Sequence, residues 1–506
     1  MKKYLPFFIL GLSAIAFPLL LYGLSGIKGF ILGILLVIAG AYLYKYPQTS
    51  LYMLLIYLCF GGTITYLIPG TYTINGPYIS FTSQYAILQI IIDVFYIPPV
   101  IAIILSYKKQ DYQENYQKYR AIIWSTIAFF VIALLHFLFV NIPNYFDGEQ
   151  GNQILVGIIG LKIWLGYIPL ILCGYYLTKS KKHLNRIIQL QIVLILICCV
   201  LTLFQYYALK AGLCIGSVDL PAPAFNRTTL QARCLIGGSL LYYPDWDLIR
   251  LPGTFVAPWQ WGWFLISSIF FAVIGTILLE EKIWNYLSWL SCFLLVICSI
   301  ISGQRIALLL VPLFLIILEL ITENKIKKIA FKIGGIVFIT IISLNLGFVQ
   351  SAINNFLGRW NVSPPTEFFI NTLSTVLDNQ SSIFGNGIGV TLSAARRFGN
   401  VRLIEIFPAQ LIYEMGFIGL ISFYTFATIL VIFGYKAYKK VKDKAIKKVA
   451  LCLWIFVVFI SYNPYYYPLI VDPVNVYYWL TFGILLKLPS VEKNQESAMI
   501  INEDPN

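Results

Sequence analysis

Residues 297–310 read ICSIISGQRIALLL, two apolar runs meeting at Ser302-Gly303-Gln304-Arg305. Each run is close to the roughly 20 residues that a membrane helix needs, so the polar quartet reads as a tight turn between two spans. A charge at the end of a span costs several kcal/mol unless it meets water or a partner. Arg305 could snorkel to the interface with its stem in apolar surroundings. The Ser-Gly turn beside it favours instead a fixed position at the mouth of a cavity.

The same pattern recurs outward from this stretch. Of the 506 residues, 59% are hydrophobic and 11% charged, with mean hydropathy +0.79. A soluble chain would carry about a quarter charged residues. The expected fold is therefore an all-α polytopic membrane protein, a single transmembrane domain over residues 1–488. The length rule gives about 14 spans, near 4–23, 27–45, 50–69, 85–107, 121–141, 154–177, 187–209, 261–280, 286–301, 306–322, 330–349, 409–435, 449–463 and 475–488. The first run follows Met1-Lys2-Lys3 without a clear small-residue cleavage site, and a second run comes at once, so it reads as a helix rather than a leader. Two outer loops, about 210–260 and about 350–408, are rich in Pro, Gly, Asn and Ser. They are expected to cap an outward cavity rather than to fold alone. The polar segment 489–506 (PSVEKNQESAMIINEDPN) is expected to be a disordered cytoplasmic tail.

Lysine sets the orientation, because cytoplasmic loops collect positive charge. Clusters at Lys2-Lys3, Lys108 to Arg120, Lys179 to Arg186, Lys325 to Lys332 and Lys436 to Lys448 fall on one side of such a bundle. Both termini are then cytoplasmic. The net charge of +14 is mostly topology, not a nucleic-acid footprint. Seven of the nine cysteines lie in apolar runs and read as packing residues. Cys214 and Cys234 lie in the first outer loop, where an oxidising compartment would allow a disulfide.

Arginine is distributed differently from lysine. Arg227, Arg233, Arg250, Arg305, Arg359, Arg396, Arg397 and Arg402 all fall on the outer side. Long loops escape the lysine bias, which permits positive charge there but does not select the guanidinium. A planar fork of donors grips phosphate or carboxylate at two points. Several such groups on one face point to an anionic, phosphate-like ligand, with salt bridges to Glu367, Asp378 or Glu405 as the plainer alternative. Glu405 stands three residues after Arg402 as either a salt-bridge partner or a general base. The outer aromatics, Tyr465-Tyr466-Tyr467 among them, fit an interfacial belt; a glycan cleft is also compatible. The GNGIG of 385–389 lacks a strand-then-helix context and reads as a tight loop. His136 and His183, the two histidines, give neither a metal site nor an outer triad, and no phosphate-binding loop for ATP is present.

Three stretches taken together resemble the O-antigen ligase and O-antigen polymerase superfamily of bacterial envelope enzymes. RLPGTFVAPWQWGWFL resembles its R-x-x-G-T-F segment, with Arg250, Gly253, Thr254, Phe255 and Gly262 in place. Ser302 and Arg305 resemble its Ser/Arg turn. SSIFGNGIGV followed by EIFPAQLIYEMGFIGLISF resembles its glycine-rich loop and last-loop exit, with Leu411, Glu414, Gly416 and Gly419 matching. The resemblance covers roughly residues 245–430. It implies a metal-independent, cofactor-free glycosyltransferase of the inner (plasma) membrane acting on polyprenyl-diphosphate-linked glycan. Glu405 and Arg305 would be catalytic; Arg250, Arg396, Arg397 and Arg402 would bind the diphosphate. Its partners would be membrane lipids, a flippase and a chain-length regulator. Ligases of the family usually carry His where this chain has Glu405, which favours a polymerase. A ligase or a lipid-linked oligosaccharide flippase are the alternatives, although a transporter should show two related halves and no internal repeat is visible.

Overall fold

The computed structural model describes residues 5–67, 72–75, 78–81, 83–106, 109–148, 151–217, 232–243, 248–323, 347–362, 364–379, 383–396 and 398–503. The helices are α1 (Leu5–Lys45), α2 (Pro47–Leu67), α3 (Ser83–Ser106), α4 (Lys109–His136), α5 (Ile142–Phe146), α6 (Gln153–Leu165), α7 (Leu170–Leu177), α8 (Lys181–Lys210), α9 (Pro258–Leu278), α10 (Lys282–Ile301), α11 (Arg305–Thr322), α12 (Gly347–Val362), α13 (Pro365–Asp378), α14 (Phe407–Lys440), α15 (Lys444–Tyr462) and α16 (Val474–Glu503). Three antiparallel hairpins interrupt them: β1 (Tyr72–Asn75) with β2 (Tyr78–Phe81), β3 (Arg233–Cys234) with β4 (Ile236–Ser239), and β5 (Leu241–Tyr243) with β6 (Leu248–Arg250).

The chain is an all-α polytopic membrane protein. Among the described residues nine helical stretches are long and apolar enough to cross a membrane, and Gly29–Lys45 and Ile91–Ser106 are shorter apolar helices. The expected span 330–349 falls largely outside the described residues. Within α1 the backbone reverses at Gly26, so that Gly33 packs on Pro18, and the apolar runs 4–23 and 27–45 form its two arms. The segment after Leu488, expected to be a disordered tail, continues α16 to Glu503. Its Glu492 carboxylate is buried and accepts the Lys442 and Asp443 backbone N–H groups at the α14–α15 turn, which ties the first part of the segment down.

The chain forms two compact units. The first comprises Met1–Ser106 and Tyr176–Leu357, the second Tyr107–Tyr175 and Gly358–Asn506. The division arises because residues 107–175 pack on the C-terminal third of the chain instead of on their sequence neighbours.

In the first unit α9 packs against α8, α10 and α11. Its sequence WGWFLISSIFFAVIG is apolar or small on every side, as a fully buried helix requires, and every residue from Trp261 to Gly275 is buried. The described parts of the loop between α8 and α9 contain two hairpins. The β5–β6 register pairs Leu241 with Arg250, and a disulfide joins Cys214 to Cys234. Leu240, Ile249 and Leu251 pack with Cys234 onto Leu209 and Ile301 at the ends of α8 and α10.

The second unit is built on aromatic rings. Phe129 of α4 stacks on Phe426 at 5.9 Å and meets Phe423 edge-on at 5.7 Å, and Phe407 and Phe423 are 5.2 Å apart. Amphipathic α13 lays Phe368, Phe369, Leu373 and Val376 against Ile404, Ile406, Ala409 and Ile412, so the second outer loop is clamped onto the start of α14.

The close approach of α2 to the Phe255 backbone is testable. A Cβ at Gly62 would lie 2.0 Å from the Phe255 carbonyl carbon, whereas one at the adjacent Gly61 meets nothing within 4 Å. Gly62→Ala should destabilise the protein by about 1–3 kcal/mol, the usual cost of overpacking, and lower its thermal midpoint in detergent. Gly61→Ala should leave the midpoint unchanged or raise it.

Candidate functional site

Arg250 and Arg305 come together in the first unit through backbone packing. β6 ends at Arg250, and the next N–H, of Leu251, donates to the Ser302 carbonyl at 3.1 Å. Gly303 has φ +67° and sits directly on that strand; a Cβ there would lie 1.6 Å from the Ile249 oxygen and 3.2 Å from the Arg250 Cα. Only glycine meets both demands. Ser302 is buried, its hydroxyl donating to the Ser299 carbonyl and accepting from the Gln304 N–H. The Gln304 stem rests on Gly262. The turn is thus held by α9, α10 and β6, and Arg305 opens α11, where the positive end of the helix dipole also favours an anion. Both arginine side chains are half-buried.

The R-x-x-G-T-F segment is held just as firmly. The Thr254 hydroxyl donates to the Cys59 carbonyl, and its own carbonyl accepts the Thr63 N–H at 3.1 Å. Phe255 packs on Phe264, 5.1 Å between ring centres, and Trp261 stacks on the same ring at 5.4 Å.

The second unit holds Arg396, Arg402 and Glu405, all exposed; Arg397 lies outside the described residues. Their loop is fixed from beneath by a buried carboxylate. Gly416 of α14 has φ +62° and ψ −168°, a break that frees carbonyls of the preceding turn. The glycine-rich loop fills them: Asn386 N–H donates to the Tyr413 carbonyl at 2.8 Å and Gly387 N–H to the Glu414 carbonyl at 3.1 Å. Four donors converge on the Glu414 side chain, which is fully buried. Trp164 Nε1 and Gly389 N–H reach Oε2 at 2.8 and 3.0 Å. Thr391 N–H and its hydroxyl reach Oε1 at 3.1 and 2.5 Å, and Gln410 donates to that hydroxyl in turn.

Asn141 pins the same loop from the other side. It closes a π-helical turn (Phe137–Asn141) and pairs with Ile388 as a strand would. Its Oδ1 accepts the Ile388 N–H at 2.8 Å and its Nδ2 donates to the Ile388 carbonyl at 2.9 Å. From this anchored loop Arg402 N–H donates to the Val390 carbonyl at 2.9 Å, and its guanidinium lies over the Tyr413 ring at 5.8 Å.

Glu405 is placed by a short antiparallel pairing with the turn after α15. Phe407 N–H donates to the Pro464 carbonyl and Tyr466 N–H to the Glu405 carbonyl, both at 2.8 Å. The pairing brings Tyr467 within electrostatic reach of Glu405 and Arg396. Burial first, then the Glu405 carboxylate and Tyr466, push the Tyr467 phenol above its ordinary value, against a smaller pull downward from Arg396.

The arrangement offers two chemical capacities. One unit presents an arginine at a strand end and another at the helix start packed against it; the other presents a carboxylate and two guanidinium groups on the loop before α14, bridged to the turn that carries the Tyr467 phenol. Three residues of this construction escape sequence reading. Asn141 carried a signal, a polar amide inside an apolar run. Glu414 was visible only as a motif match, and Tyr467 was indistinguishable from interfacial aromatics. Against known proteins the chain matches no family model and no curated protein.

Glu414→Gln keeps the shape but turns an amide NH2 toward N–H donors. The mismatch should cost about 1–3 kcal/mol, the range for a buried unsatisfied polar group. Limited proteolysis should then cut within 383–402 faster than in the parent protein, and an unchanged cleavage rate would show that the carboxylate does not hold the loop.

Proposed function

We propose that the protein is a membrane glycosyltransferase joining polyprenyl-diphosphate-linked glycan units on the outer face of a bacterial inner membrane, an O-antigen or exopolysaccharide polymerase. The observation that carries this reading is the packing of the Ser302–Arg305 turn onto the Arg250 strand. It brings the Arg250 backbone against Gly303, two residues before Arg305, although the two arginines are far apart in sequence. The choice of arginine over lysine in the outer loops supports the same ligand. The lysine clusters orient both termini to the cytoplasm, and the Cys214–Cys234 disulfide, at home in an oxidising compartment, supports the same orientation.

In the proposed reaction a hydroxyl oxygen of the acceptor sugar attacks the anomeric carbon of the donor. The bond from that carbon to the diphosphate oxygen breaks, and the electron pair leaves with the diphosphate. Arg250 and Arg305 neutralise the charge that develops there, so the reaction as proposed uses no metal. Glu405 takes the hydroxyl proton; its exposure leaves it open to an incoming sugar. Direct displacement inverts the anomeric carbon. The lipid-linked glycan, membrane lipids, a flippase and a chain-length regulator are the proposed partners.

Deleting the gene and resolving surface polysaccharide on a gel tests the reading. A single-repeat product supports a polymerase; free lipid-linked polymer would indicate a ligase instead, and unchanged polysaccharide would end the proposal. In the complemented strain Arg305→Lys keeps the charge and loses the fork, and should lower polymer yield roughly tenfold or more, the value of a charged hydrogen bond. Glu405→Gln should lower it about a hundredfold or more, as expected for loss of a general base. Normal yield from either variant removes the role assigned to that residue.

A further inference from the structure

The Tyr465-Tyr466-Tyr467 stretch is built into the last outer loop, and its three tyrosines are used differently. Tyr465 is structural. Its backbone pairs with Ile406 in an antiparallel bridge, its carbonyl accepts the Asn463 side-chain N–H at 2.5 Å, and its hydroxyl donates to the Pro365 carbonyl at 3.1 Å, holding the start of α13. Tyr466 is held through its N–H to the Glu405 carbonyl. The chain then does something costly. Tyr466 has φ +56° and Tyr467 φ +37°, two consecutive bulky residues in the left-handed region, where such side chains are rarely found. Backbone of this kind persists where its surroundings over-determine it, and it clusters at functional sites. The strained pair directly follows the bridge to Glu405, and Tyr467 lies within electrostatic reach of Glu405 and Arg396.

We infer that Tyr467 binds the acceptor sugar: its phenol donates a hydrogen bond to a glycan oxygen and so fixes the hydroxyl that Glu405 deprotonates. The inference rests on the glycosyltransferase reading and extends it to the acceptor side. Two features select the acceptor over the diphosphate. The loop already carries guanidinium groups for an anion, whereas a sugar hydroxyl is neutral and suits a neutral donor. A tyrosine phenol is protonated at physiological pH, so it is a donor there and not a second base; burial and then the Glu405 carboxylate push its titration further up.

The test uses the full-length protein in detergent with two substrates. One is the lipid-diphosphate-linked single repeat extracted from the deletion strain as donor; the other is the free oligosaccharide of the same repeat as acceptor. Tyr467→Phe should raise KM for the acceptor about fivefold, the worth of one neutral hydrogen bond, with kcat, donor KM and thermal midpoint unchanged. Tyr465→Phe, which loses the Pro365 bond, should lower the thermal midpoint and leave acceptor KM alone. Should Tyr467→Phe fail to fold, Tyr467→Asn carries the same expectation, since asparagine tolerates a left-handed backbone. An active parent enzyme with unchanged acceptor KM in the variant overturns the inference alone. A rise confined to donor KM, or a fall confined to kcat, also overturns it. A parent protein that transfers nothing from the lipid-linked donor overturns the glycosyltransferase reading itself.

Discussion

A chain that leaves the helix near a hydrocarbon layer must still satisfy every backbone N–H and C=O from within the protein. Both candidate regions answer to this constraint, and their rigidity follows from it. In the first unit the segment after β6 takes its hydrogen bonds from α2 and from the turn before α11. In the second, the glycine-rich loop takes them from the broken turn of α14, from the Asn141 amide and from the Glu414 carboxylate. Loops tied down this densely fix the backbone from which Arg250, Arg305 and Arg402 project.

Glu414 and Glu405 show how burial divides the work between two acids nine positions apart in the sequence. Glu414 is sealed among four donors and holds the loop. Glu405 stands in the open, fixed through its backbone by the Tyr466 N–H and within electrostatic reach of Tyr467. One carboxylate is sealed into the architecture while the other faces solvent.

The membrane class was legible because hydropathy is local: a window of sequence contains the whole signal. Tight turns were legible for a similar reason, since the glycines at 303 and in 385–389 announce backbone that other residues cannot adopt. What stayed hidden depends on distant partners. Nothing in Asn141 or Ile388 alone says that they pair across the sequence, nor that residues 107–175 leave their neighbours for the C-terminal third. The hairpins of the first outer loop were masked by their glycines and prolines, and α16 outran its apolar stretch because Glu492 has a buried task that composition does not reveal. Tyr467 was lost in a crowd of aromatics; only the backbone geometry at 466–467 separates it from a membrane-interface residue.

The break at Gly416 also bears on how the protein sits in bilayers of differing thickness. From Phe417 to Lys440 helix α14 is an uninterrupted rod, and such rods answer a thicker or thinner hydrocarbon layer by changing their tilt. The residues before the break are bonded to the glycine-rich loop instead of continuing that rod. Phe423 and Phe426 on the rod pack on Phe407, Phe129 and Trp164, and Trp164 bonds Glu414, so a change of tilt is passed through ring contacts to the same carboxylate that anchors the loop.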